Sequence, residues 1–420
     1  MTPGDGGFLE SGSPGASYCY SGLRIAPDPA AAHSAAAAGL PEGQRRESLA
    51  RAERAWLDGQ WADDGRCWEL RTIAGEWGGE STGGSGRLSC VLLARAYAAD
   101  GRRARALAGT LSTGMSALPR HVRSEPMSRE QTAAALSPFP GHLAHVVEVR
   151  RRIHWQSIRR SEAPFPVGMT LDPYPTEAVD WQPVWAELAR TPGTVVLGVR
   201  LEPASWRVRD SETARRLAQA FEILSRPGRF NPAIGREEPG IPFAARAADF
   251  YAWLSDGAHV RRGYRMRVTL AADRPIPPEL PEWVASVMSG RDGETSTGDP
   301  RPGPPAAVVS PVRDPEEVRR AWHAFATLHD VWLSLAHQQD VPVPLGEFER
   351  ALVARVVTAE TNAAFRFPYE TPGRPPVFHP PAPPPPAARA RAAPPGPEEG
   401  IPFPEPPAHF GRDDHQGGAA

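Results

Sequence analysis

Alternating apolar and polar positions mark out strands along much of the chain. In "RLSCVLLARAYA" (87–98), Leu88, Cys90, Leu92 and Ala94 fall on one face, and "RCWELRTIA" (66–74) reads as its neighbour across a connection. "HLAHVVEVRRRIHW" (142–155) is β-branched and alternating, and "GTVVLGVRLEP" (193–203) reads as a mostly buried strand. "HVRRGYRMRVTLA" (259–271) sets Tyr264, Met266, Val268 and Leu270 against Arg265, Arg267 and Thr269, the pattern of a half-exposed strand.

Helical spacing fills the intervals. Residues 44–58 form a charged helix ending in Trp56 and Leu57, and residues 101–118 carry Leu107, Leu111 and Leu118 on one side. Ser128 with Gln131 forms a capping box, and Asp180 caps a helix running through Trp181, Trp185 and Leu188. Further helices are expected at about 210–226 and 243–256 and in "PPELPEWVASVM". Each half then runs strand, two helices, strand, which hints at a duplication. Beyond a linker at 290–305, Asp314 and Pro315 open a helix with Val318, Ala321, Phe325, Leu328, Trp332 and Leu335 at helical spacing. Residues 345–365 answer it, with Phe348, Leu352 and Val356 facing back, so that 314–366 is expected as a helical hairpin.

The resulting fold class is α/β (α+β): two ferredoxin-like or split β-α-β subdomains plus a helical hairpin, with disordered N- and C-terminal tails. The boundaries are 1–42 for the first tail, 43–165 and 166–290 for the α/β subdomains, 291–313 for a linker, 314–366 for the hairpin and 367–420 for a Pro-rich tail. Composition supports the tails. Proline reaches 49 of 420 residues, about twice the usual share of roughly 5%, and crowds the C-terminal end.

A net charge of −2 with a pI of about 6.7 argues against a chain-wide nucleic-acid binder. Three cysteines (Cys19, Cys67, Cys90) without metal spacing suggest reduced thiols. The N-terminus has no secretory pattern, and the longest apolar run, "SCVLLARAYAA", is broken by Arg95. A cytoplasmic protein without membrane insertion is the expectation.

Candidate chemistry is sparse. "GEWGGESTGGSGR" (75–87) looks like a phosphate cradle, but the chain contains no lysine, so a G-x-x-x-x-G-K-[ST] loop cannot exist. The stretch reads as a hairpin connection, and neither ATP binding nor hydrolysis is expected. His142, His145 and Glu148 invite a metal, but positions 142 and 145 of a strand point to opposite faces. His323, His329 and His337 scatter around one helix. No cofactor, metal or catalytic set is expected, and an enzyme of unrecognised mechanism has no supporting constellation.

The densest basic stretch, "EVRRRIHWQSIRR" (148–160), offers Arg150, Arg151, Arg152, Arg159 and Arg160 with Trp155 interleaved, the composition of a phosphate-contacting strip. The alternative is the polar edge of a strand and its turn. DNA contact through the strip would be weak and salt-sensitive.

"TAETNAAFRFPYETPGRPPV" (358–377), following "GEFERALVARVV", resembles the segment ahead of the ATPase core in HerA-like and conjugation-type (type IV secretion, TraC-like) ATP-binding proteins of actinobacteria. "ALSPFPGHLAHVVEVRRRI", "TVVLGVRLEP" and "RRGYRMRVTLAA" resemble their N-terminal non-ATPase domains. Where the phosphate loop would begin, this chain reads "HPPAPPPPAARARAAPPGP". The resemblance therefore implies a non-catalytic adaptor whose partner is a separately encoded P-loop ATPase, and it leaves homo-oligomerisation open. "EEPGIPF" at 237–243 recurs as "EEGIPF" at 398–403, which makes Ile401, Pro402 and Phe403 candidate docking residues. Chance recurrence in a chain rich in Pro, Glu and Gly is the alternative.

Overall fold

A computed structural model describes residues 8–13, 16–32, 39–77, 87–115, 117–139, 145–160, 163–228, 230–231, 235–256, 262–290, 305–328 and 346–380. The strands are β1 (Leu9–Ser13), β2 (Ala16–Pro27), β3 (Arg66–Ala74), β4 (Ser89–Ala98), β5 (Val122–Pro126), β6 (His145–Arg151), β7 (Ile153–Ser157) and β8 (Val167–Leu171). They continue with β9 (Val195–Ser205), β10 (Phe230–Asn231), β11 (Arg236–Glu237), β12 (Arg262–Ala272), β13 (Ala307–Val312) and β14 (Arg355–Val357). The helices are α1 (Pro29–Ala32), α2 (Glu42–Gln60), α3 (Gly101–Met115), α4 (Arg129–Leu136) and α5 (Gln182–Arg190). After them come α6 (Val208–Ser225), α7 (Pro242–Ser255), α8 (Glu279–Met288), α9 (Pro315–Ala326) and α10 (Glu347–Ala354). No helix among the described residues is long and apolar enough to cross a membrane.

The α+β class holds, and its centre is one large antiparallel sheet in the order β1-β2-β4-β3-β9-β12-β6-β13. β5 shares an edge of β2 with β1, and β14 shares an edge of β12 with β6. The two expected subdomains are therefore not separate. β3 pairs with β9 from Trp68↔Leu201 to Ala74↔Val195, joining the 43–165 half to the 166–290 half through a continuous ladder.

Several local readings are borne out. Ser128 caps α4, accepting from the Gln131 amide while the Gln131 side chain accepts from the Ser128 amide. Asp314 accepts from the amides of Glu316 and Glu317, with Pro315 in the first turn of α9. Asp180 accepts from the Gln182 amide, though Trp181 holds the N-cap position of α5. β3 and β4 pair as a hairpin, and residues 78–86 of its connection lie outside the described residues.

Other expectations fail. Residues 9–13 and 16–27, expected in a disordered tail, form β1 and β2; Tyr20, Leu23 and Ile25 are buried because β2 pairs along β4. The C-terminal fold does not stop at 366 either. Phe365, Phe367, Tyr369 and Phe378 are core residues, and Leu88 exchanges backbone bonds with Val377 and His379. The helical hairpin is replaced by two helices in different clusters. Phe325 and Leu328 pack with Ile73, Val91 and Val196, whereas Leu352 and Val353 pack with Phe221 and Leu254 of the α6–α7 layer. Val356, in β14, belongs to the main core. Trp332 and Leu335 lie outside the described residues.

Period-two alternation gives the sheet two unlike faces. One face carries Trp68, Leu70, Val199, Leu201, Tyr264 and Val268, in one cluster with apolar residues of α2, α3, α5, α8 and the 363–378 strap. The other is apolar at one end, where α4 and α9 pack, and charged through its middle.

Candidate functional site

The geometry of interest lies where β12 changes neighbours. β6 pairs with it from Val268 to Ala272, and β14 pairs from Gly263 to Arg265, so the sheet forks between them. A narrow cleft with about 10 Å³ of enclosed space lies at the fork; Arg150, Arg151, Arg267, Tyr174, Val353 and Val356 are among its lining residues. Three arginines reach this spot because β6 sends Arg150 and Arg151 to opposite faces while β12 supplies Arg267.

Glu148 holds two of them. Its carboxylate accepts from Arg150 Nε at 2.7 Å and from Arg267 Nε at 2.8 Å. Burial alone would raise the Glu148 pKa, but the two guanidinium groups outweigh it and hold the carboxyl below the ordinary range. Arg151 donates to Glu360 Oε1 at 2.8 Å and lies 4.5 Å from the Tyr174 ring centroid. Glu360 also accepts from the backbone amides of Tyr174 and Val357, which fixes it at the strand end. Burial pushes the Tyr174 hydroxyl up to about 12.

The charged row continues across the same face as Arg150 and Arg267. Arg71 donates to Glu69 at 2.6 Å and to the carbonyls of Ala135, Leu136 and Phe325, which lie at the C-terminal ends of α4 and α9. Its guanidinium lies 3.7 Å from the Phe325 ring centroid. Arg95 donates to the Leu328 carbonyl. Carbonyls at helix C-termini are unsatisfied within the helix and carry partial negative charge, so they suit buried cations.

The sequence-predicted strip is thus dispersed. Arg150 and Arg151 are buried and ion-paired, and Arg152 donates to the Pro305 carbonyl at 2.8 Å. Arg160 donates to the carbonyls of Leu224 and Arg226 near Glu238. Arg159 remains exposed, and Trp155 is 43% exposed. The stretch does not present five arginines to a nucleic-acid backbone.

His145 is exposed at the start of β6, and Glu148 is occupied by arginines, so the two do not converge; His142 lies outside the described residues. Among the described residues, no group of three His, Cys, Asp or Glu is placed to hold a metal ion. Cys67 and Cys90 are buried, and burial pushes both thiols up to about 12. Ile401, Pro402 and Phe403 lie outside the described residues, but their internal counterpart does not. Ile241 donates its amide to the Leu224 carbonyl at the end of α6, and Phe243 packs against Phe221 with centroids 6.3 Å apart. A Cβ on Gly240 would overlap the Ser225 carbonyl oxygen, so the approach needs glycine.

Sequence reasoning missed one buried set entirely. Glu53 of α2 bridges His121, at 3.1 Å, and Arg366 of the strap, at 2.6 Å, all three buried. The only signal was the strap itself, where Arg366 sits among Phe365, Phe367 and Tyr369. Such an apolar flank means burial, and a buried arginine needs a carboxylate. Neither the known protein families nor the curated proteins compared with this chain contain a match to it.

Proposed function

We propose that the protein is a non-catalytic accessory subunit that acts by binding other proteins, with a separately encoded P-loop ATPase of the HerA-like or conjugation type as its partner. The observation that carries the binding role is the seating of Gly240–Phe243. Gly, Ile, Pro and Phe together dock on a helix C-terminus: a backbone bond to Leu224, an aromatic contact with Phe221 and a glycine at the point of closest approach. Gly400–Phe403 repeats the same four residues beyond the last described residue, Pro380. Proline restricts the unbound motif, so little conformational freedom is lost on docking. The choice of an ATPase rests on the resemblance of the 358–377 segment.

The buried titratable groups fit this reading. Glu53, Glu69, Glu148 and Glu360 each hold an arginine, and the Cys67 and Cys90 thiols lie far above a reactive range. The test is capture of the purified conjugation-type ATPase of the same genome by three forms: the full chain, a chain ending at Pro380, and Ile401→Ala with Phe403→Ala. Capture by the full chain and its loss in both variants is expected. Equal capture by all three removes the tail from the mechanism, and no capture by any form removes the ATPase.

A further inference from the structure

We infer that the cleft at the sheet's fork is a binding site for a tetrahedral oxyanion, either free phosphate or sulfate or the terminal phosphate of a larger molecule. Arg150, Arg151 and Arg267 all line it, two from one strand and one from its neighbour. Guanidinium groups pair with oxyanions through parallel N–H donors, and three around one cleft can bind from different sides.

The charge balance points the same way. Arg200 of β9 stands directly opposite Arg267 in the ladder, with Glu69 opposite it on the other side. Like charges in directly opposed positions repel. Glu69 is engaged by Arg71, and Glu148 is shared between Arg150 and Arg267. Arg200 is only 2% exposed, yet none of its three nitrogens has a hydrogen-bond partner. All four arginines Arg150, Arg151, Arg200 and Arg267 are buried; Glu148 holds two of them and Glu360 a third, while Arg200 has only the longer-range charges of Glu202 and Glu69. A cleft beside a buried guanidinium that no carboxylate hydrogen-bonds attracts an anion. Arg151 supplies a further donor, because its Nε is buried without a hydrogen-bond partner.

The size of the space restricts the ligand. The cleft has only about 10 Å³ of enclosed space, room for one water-sized group, and its remaining walls are valines, an alanine, a methionine and Tyr174. One oxygen of a phosphate group can enter between the arginines, with the rest of the group at the mouth. A nucleotide would have to leave its base and sugar outside.

The experiment measures thermal melting and isothermal titration of the full chain with inorganic phosphate, sulfate or ATP, at constant ionic strength maintained with gluconate. Saturable stabilisation by phosphate and sulfate is expected. Equal or tighter binding of ATP would identify the oxyanion as one carried on a nucleotide. Ala354→Leu fills the cleft without removing a charge, and Arg200→Gln removes the guanidinium that lacks a hydrogen bond without altering the lining. Each should weaken phosphate binding at least tenfold, whereas Arg159→Gln on the exposed surface should leave it unchanged. If either variant does not fold, titration of the unaltered chain still decides. No saturable binding up to tens of millimolar, or equal binding by Ala354→Leu, overturns the proposal.

Discussion

The two faces of the large sheet are built from the same strands and solve burial in opposite ways. One presents Trp68, Leu201, Tyr264 and Val268 to a thick apolar layer. The other turns Glu69, Arg71, Arg200, Arg267, Glu148 and Arg150 inward. Burying apolar area is favourable wherever it occurs, so the first face tolerates many packings. A buried charge is tolerable only beside its counter-charge or a set of aligned carbonyls, so the second admits few. The comparison assigns most of the stability to the apolar face and the strictest geometry to the charged one.

The most severe test removes part of the apolar layer. A chain ending at Phe367 loses Tyr369 and Phe378, together with the bonds of Val377 and His379 to Leu88. It should show no cooperative melting transition. A cooperative transition near that of the full chain would show that the strap adds little.

On the charged face, Glu148→Gln should cost about 3–5 kcal/mol in chemical denaturation, because Arg150 and Arg267 lose their shared counter-charge. Replacing the set together, with Glu148→Leu, Arg150→Met and Arg267→Met, should cost less than the single change. If the triple variant is the less stable one, the ion cluster is itself a net source of stability and the division between the faces is wrong.

Raising the pH probes both faces through groups that burial keeps protonated. Folded Cys67 and Cys90 titrate near 12 instead of 9.0. Above about pH 9 the unfolded chain has lost these protons while the folded chain retains them. The unfolded state then binds fewer protons, so stability falls as pH rises towards 12. At pH 10 each thiol should contribute a loss of about 1.4 kcal/mol. Denaturation midpoints at pH 8 and pH 10 measure it, and Cys67→Ala should remove about half of the thiol share. Glu148 acts with the opposite sign. Its depressed folded pKa gives stability that is present above the ordinary carboxylate range and lost as pH falls below it.

A smaller effect is expected at Gly198, where the charged middle of one face meets its apolar end through one missing side chain. A Cβ there would lie 2.8 Å from Glu69 Oε1 and 3.0 Å from the Phe325 ring. Gly198→Ala should cost about 1–3 kcal/mol by forcing the Glu69–Arg71 pair and the end of α9 outward. A change below about 0.5 kcal/mol would mean that α9 moves freely over the sheet.

The sequence made the elements legible because capping and periodicity are local. Ser128 with Gln131, and Asp314 with Pro315, set helix starts to the residue. The faces were not legible. Arg265, Arg267 and Thr269 alternate with apolar residues just as a solvated strand would, and whether that side meets water depends on elements far along the chain. Arg267 and Thr269 are buried. For the same reason Arg150 and Arg151 read as surface charges: Arg150 shares Glu148 with Arg267 of another strand, and the partner of Arg151, Glu360, lies more than two hundred residues away. The single sheet was hidden as well, because the β3–β9 ladder joins strands between which five other strands and three helices are described.

The finest distinction lies within five arginines that looked alike. Arg151 is buried against Glu360 and the Tyr174 ring, whereas Arg159 stands exposed eight positions later. Arg159→Gln should therefore change stability by less than about 0.5 kcal/mol, the range of surface substitutions away from special contacts. Arg151→Gln should cost several times that, because Glu360 would keep a buried charge without its cation. The same pair separates folding from nucleic-acid binding. If a DNA fragment binds the chain, exposed Arg159 can reach a phosphate, and its loss should reduce the steepness of the salt dependence. Arg151→Gln should leave that slope unchanged while lowering the melting temperature. If the slope instead falls with Arg151→Gln and not with Arg159→Gln, Arg151 reaches solvent, and the buried assignment of the β6 arginines must be abandoned.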